Sequence, residues 1–268
     1  MTIKRVVYGA ASLTPLLVCA SQPLAWSEGI FQEYPLDGSF ISDLGSLVSP
    51  AWYVGDYSVS QHHHYNTAFS SDYVVRDGDV TSLKIDRNAN PPNSTTGGEV
   101  QRTGSFSYGR YEVVMRPAKG SGLVSSFFTY SGPYFGTVHD EIDIEFLGNN
   151  TREVSLNIFT DGKPLVPAKK VELPFDASES FNLYAFEWSP QAVHWYVNEQ
   201  RVFTVSASER KLPSTPGKVM ANLWTGDEYF HSWHGPPHFE DGTTSDYKCM
   251  SYLALGDDAQ QCSDVFFR

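Results

Sequence analysis

Cysteine is scarce in this chain, with three residues in 268, and one of them, Cys19, falls in the apolar N-terminal stretch. That excludes a scaffold held by many bridges and a cysteine-built zinc site, and it leaves Cys249 and Cys262 as one even pair. Basic residues are outnumbered, with 19 Lys and Arg against 31 Asp and Glu. The resulting formal charge of −12 repels phosphate backbones, so nucleic acid is not an expected partner. No apolar run is long enough to span a bilayer, which argues against a membrane-embedded protein. Sustained 3.6-residue periodicity is also missing, which argues against a helical bundle. No G-x-S-x-G turn exists to carry a strained serine nucleophile.

Aromatic residues, glycine and proline are plentiful instead. Tyr111 to Arg116, Tyr184 to Trp188, Val193 to Val197 and Val202 to Val205 are short β-branched and aromatic runs separated by turn residues. They predict an all-β fold, a sandwich or barrel. Asn198-Glu199 joins two of these runs at hairpin spacing, although glycine suits the second place of a type I′ turn better than glutamate. Loops are expected over 88–98, 132–138 and 230–245, each rich in Pro, Gly, Asn or Ser. Trp188 and Trp195 lie in strongly apolar runs and are expected in the core, whereas Trp224 and Trp233 border glycine-containing loops that suit ligand stacking.

At the N-terminus, Lys4-Arg5 precedes an apolar stretch ending Val18-Cys19-Ala20, the pattern of a secretory signal over residues 1–20. Residues 21–50 have no clear period and read as a lead-in to one domain over 51–268. Cleavage removes two basic residues and no acid, and export places the Cys249 and Cys262 pair in an oxidising compartment, where a disulfide is expected. The expected location is therefore secreted or periplasmic.

The most informative segment is Glu141-Ile142-Asp143-Ile144-Glu145. On a strand, successive side chains leave on opposite faces, so the three acids share one face and the isoleucines the other. Three crowded acids repel one another, and the chemistry that uses two carboxyl groups with different proton affinities is glycoside hydrolysis. In the retaining form one carboxylate attacks the anomeric carbon while a protonated carboxyl, roughly 5–5.5 Å away, gives its proton to the leaving oxygen. Positions i and i+4 of a flat strand lie about 13 Å apart at Cα, so the strand has to bend and both outer acids have to lean inward. The outer acids are both Glu, with the longer stems, and the central one is the shorter Asp. From the residues alone either outer Glu could attack.

These residues resemble glycoside hydrolase family 16, and within it the bacterial lichenase-like endo-β-1,3-1,4-glucanases. The resemblance extends through Ser107-Tyr108-Gly109-Arg110-Tyr111-Glu112, Arg116-Pro117-Ala118-Lys119, Val124 to Tyr130, Thr215-Pro216-Gly217-Lys218-Val219 and Asn222-Leu223-Trp224-Thr225-Gly226. It implies a jelly-roll sandwich of two curved antiparallel sheets with an open concave cleft, and a single catalytic domain over 51–268. It also implies roles: Glu141 as nucleophile, Glu145 as acid/base and Asp143 as the assisting carboxylate. Glu99, Phe128, Asn157, Asn222, Trp224 and Trp233 match substrate contacts. Gln101 and His139 join that set at places where this chain departs from lichenases and looks more like bacterial glycanases that trim acidic exopolysaccharides such as succinoglycan. The expected partner is a polysaccharide bound by a monomer, with no cofactor required. The family's structural calcium site implies an acid whose place falls on Lys248 or on Asp246. Two further readings use the same scaffold: a transglycosylase, and a noncatalytic polysaccharide-binding protein.

The run His62-His63-His64 is not read as a metal site, because three consecutive strand residues cannot face one ion. His231, His234 and His238 surround Trp233 and are expected at a cleft rim or in solvent.

Overall fold

Two β-sheets lie face to face in a jelly-roll sandwich. The computed structural model describes residues 38–42, 44, 51–58, 64–88 and 93–266, all inside one compact unit spanning 33–268. The signal expected over 1–20 lies outside the described residues, as does most of the expected lead-in. Within that lead-in, Phe40–Ser42 is a strand paired with Met250 to Tyr252. Among the described residues no helix is long and apolar enough to cross a membrane.

The sheet that carries the acids runs, in spatial order, Trp52–Val54, Glu99–Arg102, Lys218–Trp224, Val124–Ser131, Asp140–Leu147 and Glu153–Thr160, all antiparallel, with two short strands on the far edge. The other sheet is built on Gly109–Arg116, flanked by Asn182–Trp188 and Thr243–Ala254. The period-2 pattern explains both sheets. Along the acid strand Ile142, Ile144 and Phe146 are fully or almost fully buried between the sheets, while the alternate acids face outward. Trp188 and Trp195 are in this core as expected.

Two core side chains tie the sheets together by more than packing. Trp195 of the opposite sheet donates its indole N–H to the Asp143 carbonyl at 3.1 Å. Tyr247 donates its hydroxyl to the Ser126 carbonyl at 2.9 Å. Each satisfies a buried polar group and fixes backbone directly beneath the acid face.

The predicted hairpin at Asn198-Glu199 forms, with both residues at positive φ, 46° and 67°. The Glu199 carboxylate there accepts from Arg110 Nη2 with both oxygens, at 2.8 and 2.9 Å. Two of the expected loops are shorter than read. Thr95–Gly97 and Thr243–Ala254 are strands, because the β-branched threonines in both pair readily along a sheet.

Asp140 anchors the start of the acid strand. Its carboxylate accepts backbone N–H groups from Asp161 at 2.9 Å, Ser214 at 2.9 Å and Thr215 at 3.0 Å, joining two loops to the strand end. Burial alone would raise its proton affinity, but the three donors outweigh it and hold the carboxyl below the ordinary value of 3.8. That stabilisation is complete above the ordinary aspartate range and is lost as the pH falls below it. Asp140→Ala, which leaves three donors without their acceptor, is expected to lower unfolding free energy by about 3 kcal/mol in urea titrations at pH 7. The deficit should shrink on acidification; an unchanged midpoint at pH 7 contradicts the anchoring role.

Candidate active site

Antiparallel register lays the site out in rows across the sheet. Glu145 stands opposite Ser126 on one side and Ser155 on the other, Asp143 opposite Phe128 and Asn157, and Glu141 opposite Tyr130 and Phe159. Ser126 in turn faces Asn222, which faces Glu99. One row therefore reads Ser155, Glu145, Ser126, Asn222, Glu99, and it brings together two glutamates separated by 46 positions in the chain.

The three acids are electrostatically coupled. Burial, then the charges of Glu141 and Glu145, push Asp143 well above the usual carboxyl range, and Asp143 hydrogen-bonds Glu141. Burial and the Glu141 charge push Glu145 up to about 8. A carboxyl that keeps its proton at neutral pH is a donor, so Asp143 presents an O–H to the Glu141 carboxylate. On its other side Glu141 Oε2 lies 2.6 Å from His139 Nε2. The imidazole ring is stacked on Phe159, 4.8 Å between centroids and 18° between planes. Thus the strand face holds one carboxylate, Glu141, between two carboxyls, Asp143 and Glu145, that retain their protons.

A polar cluster forms the far end of the Glu145 row. Glu99 is 1 % exposed and accepts from Tyr57 at 2.6 Å, Gln101 at 2.7 Å and Asn222 at 3.1 Å. Ser126 links the cluster back toward Glu145 by donating to Asn222 Oδ1 at 2.5 Å. Burial still leaves the Glu99 carboxyl above its ordinary range.

Other expected contact residues sit differently. Trp224 is 4 % exposed, covered by Tyr65, which stacks on it at 4.2 Å and 21°. Trp233 packs at the side of Trp224 with 6.1 Å between centroids. Phe128 is nearly buried on the face beside Asp143. Asn157 spends its side-chain oxygen on the N–H groups of Ile158 and Leu165, at 2.9 and 3.0 Å, and so shapes the adjoining edge of the sheet.

Tyr65 escaped sequence reasoning. Its buried hydroxyl is raised first by burial and then by Glu141, Glu145, Glu99 and Asp143, so it shares one electrostatic environment with all four acids. The only sequence signal was an aromatic residue after a histidine run. His234 also differs from expectation: it is fully buried rather than solvated. Its Nε2 accepts from Gly226 N–H at 3.1 Å, and its Nδ1 donates to the Gly235 carbonyl at 2.6 Å. Burial lowers its proton affinity, in keeping with this neutral tautomer.

Cys249 and Cys262 are bonded, with 5.8 Å between Cα atoms. Asp246, the acid expected at a calcium site, is engaged otherwise. Arg116 Nη2 and Nε hold one of its oxygens at 2.6 and 3.1 Å, and Ser82 donates to the other at 2.7 Å. A guanidinium in that place repels a divalent cation, so this donor set does not fit calcium. Lys248 pairs with Asp79 at 3.0 Å. Among the described residues no three His, Cys, Asp or Glu side chains converge as a metal site.

Known proteins share this sequence pattern and fold. A β-glucanase of Paenibacillus polymyxa is 41% identical over 200 residues, covering 73% of this chain and 81% of its own length. A solved prokaryotic β-1,3-1,4-glucanase (lichenase), derived from a mouse hindgut metagenome, superposes with a TM-score of 0.76 at 33% identity, covering 81% of this chain and 99% of that one. The solved Bacillus licheniformis β-glucanase superposes at 0.73 with 36% identity, covering 81% and 98%. Residues 61–248 match the sequence profile described as "Glycosyl hydrolases family 16", and the chain belongs to that family.

Proposed function

We propose that the protein is an endo-acting, retaining β-glucanase that cleaves β-1,3-1,4-linked glucan, with Glu141 as nucleophile, Glu145 as acid/base and Asp143 as assistant. The observation that carries this reading is the arrangement along one strand face: Glu145 keeps a proton up to about 8, while Glu141 is hydrogen-bonded by Asp143 and lies 2.6 Å from His139 Nε2. In the first step Glu141 forms a bond to the anomeric carbon as the glycosidic oxygen departs with the proton of Glu145. Esterification removes the charge of Glu141, which is the second cause of the raised Glu145 value. Glu145, now ionised more easily, takes a proton from water, whose oxygen displaces Glu141 and restores the original anomeric configuration.

The name of the lichenase from the mouse hindgut metagenome supports the mixed-linkage substrate. A glucose-rich bacterial exopolysaccharide is the second reading, favoured by His139 and Gln101, which replace residues usual in lichenases and lie against Glu141 and Glu99 respectively. Incubation with lichenan, laminarin and a succinoglycan-type polymer, followed by fragment analysis, separates the two. Oligosaccharides from lichenan support the first, and cleavage confined to the succinoglycan-type polymer supports the second. Export to an oxidising compartment is part of the proposal, supported by the disulfide.

Glu141→Gln should reduce kcat on the order of 10⁴-fold while polymer binding, followed by affinity electrophoresis, stays close to wild type. Retained turnover removes the assignment. The kcat/KM profile should lose activity on the alkaline side as pH rises through about 8, where Glu145 gives up its proton. The same group carries a stability penalty. A carboxyl raised from 4.5 to about 8 loses folding stability as pH rises through that interval. Glu145→Gln should therefore match wild type in urea unfolding near pH 4.5 and exceed it by about 2–4 kcal/mol near pH 8.5. Equal stability at both values contradicts the raised affinity.

A further inference from the structure

His139 is clamped more firmly than a residue that only meets substrate needs to be. Its ring stacks on Phe159 at 4.8 Å and leans on Tyr130 at 5.2 Å. Its carbonyl accepts from Gly162 N–H at 2.8 Å. The residues on either side are held as well: Ser131 donates to the Val138 and Asp140 carbonyls at 3.0 and 3.2 Å, and the Asp140 carboxylate receives three backbone donors. An imidazole has only two side-chain torsions, so a ring held by stacking with its backbone pinned leaves Nε2 in one place. That place is 2.6 Å from Oε2 of Glu141. The glutamate has three torsions, and without a partner its carboxylate plane would be free to turn.

We propose that His139 is a positioning residue for the nucleophile: its Nε2–H donates to Oε2 of Glu141 and fixes the plane in which the carboxylate is offered to the anomeric carbon. The proposal rests on Glu141 being the nucleophile. Orientation matters because the reacting oxygen has to approach the anomeric carbon in line with the departing bond, and small misplacements are costly in rate. The donor also serves the second step. As water displaces the ester, the carbon–oxygen electron pair returns to Glu141, and a hydrogen bond to an oxygen regaining negative charge strengthens as the bond breaks. A neutral Nε2–H suffices for both, so the function is one of geometry and not of imidazolium charge.

Side-chain amides provide the test. The Gln amide nitrogen occupies the position of imidazole Nε2, whereas the Asn amide nitrogen corresponds to Nδ1 and falls short of Glu141. His139→Phe keeps a ring for stacking and deletes the donor. With lichenan as the probe, and far-UV circular dichroism and melting temperature as checks on folding, His139→Phe and His139→Asn should lower kcat about 10- to 100-fold with KM within about threefold. His139→Gln should recover kcat to within about threefold of wild type. Labelling of Glu141 by a 2-deoxy-2-fluoroglycoside inactivator, followed by intact mass, should slow in the Phe variant and recover in the Gln variant.

Equal behaviour of the Gln and Asn variants overturns the proposal, and so does a rise in KM at constant kcat, which would make His139 a substrate contact. Because the Gln and Asn comparison stands alone, the proposal stays exposed to refutation even if the Phe variant does not fold. Glu141→Gln separates the two levels of inference. If that variant turns over, the nucleophile assignment falls; if it is inactive while His139→Phe equals wild type, only the positioning role falls.

Discussion

Repulsion between carboxylates on one strand face governs this molecule. Glu141, Asp143 and Glu145 alternate with core residues, so the sheet cannot turn one of them away without exposing an isoleucine. Two unit charges 5 Å apart interact by about 3 kcal/mol at an effective dielectric of 20, and burial adds a penalty for each ionised group. The cheapest arrangement is one charge and two protons. Which carboxyl bears the charge is set by the neighbours: His139 and Asp143 flank Glu141, whereas Glu145 feels burial and the Glu141 charge, and its value rises accordingly. Proton placement thus follows from register and from the residues that each acid meets across the sheet.

The rest of the fold resists the strain of that crowding. Trp195 and Tyr247 reach through the core from the opposite sheet to hold the backbone beneath Asp143 and Ser126. Asp140 fixes the entry of the acid strand, and Ser126, Asn222 and Glu99 form an ordered hydrogen-bond chain across the three strands beside it. A site built of mutually repelling groups is less stable than its uncharged equivalent, and the surrounding contacts offset the difference. On the other sheet, the Arg110 guanidinium joins Glu112, Glu187 and Glu199. The acidic character of the chain therefore extends to its structural networks as well as to the acid strand face.

Much of this could be read from the chain. Alternation of apolar and polar residues marked the acid strand and its core face, and the runs around Tyr184, Val193 and Val202 all emerged as strands. The E-x-D-x-E spacing located the acids because strand geometry is local. What escaped was whatever depends on register between distant strands. His139 stood out only as an unusual neighbour of the acids, and nothing in its position announces a hydrogen bond to the Glu141 side chain. Tyr65 reaches the acids from 76 positions before Glu141, through its stack on Trp224. Trp224 looked open to ligand because it borders a glycine-containing loop; Tyr65 covers it. Asp246 matched a metal ligand by position, yet Arg116 on the neighbouring strand turns the same carboxylate into half of an ion pair.

In the proposed double displacement Glu141 carries the sugar covalently and Glu145 first gives and later takes a proton. The most direct test is the stereochemistry of the newly released reducing end, followed by proton NMR during the first minutes of lichenan digestion. A double displacement predicts that the β-anomer appears first and the α-anomer only later, by mutarotation. Initial release of the α-anomer would mean a single displacement by water, and Glu141 could not then be the nucleophile.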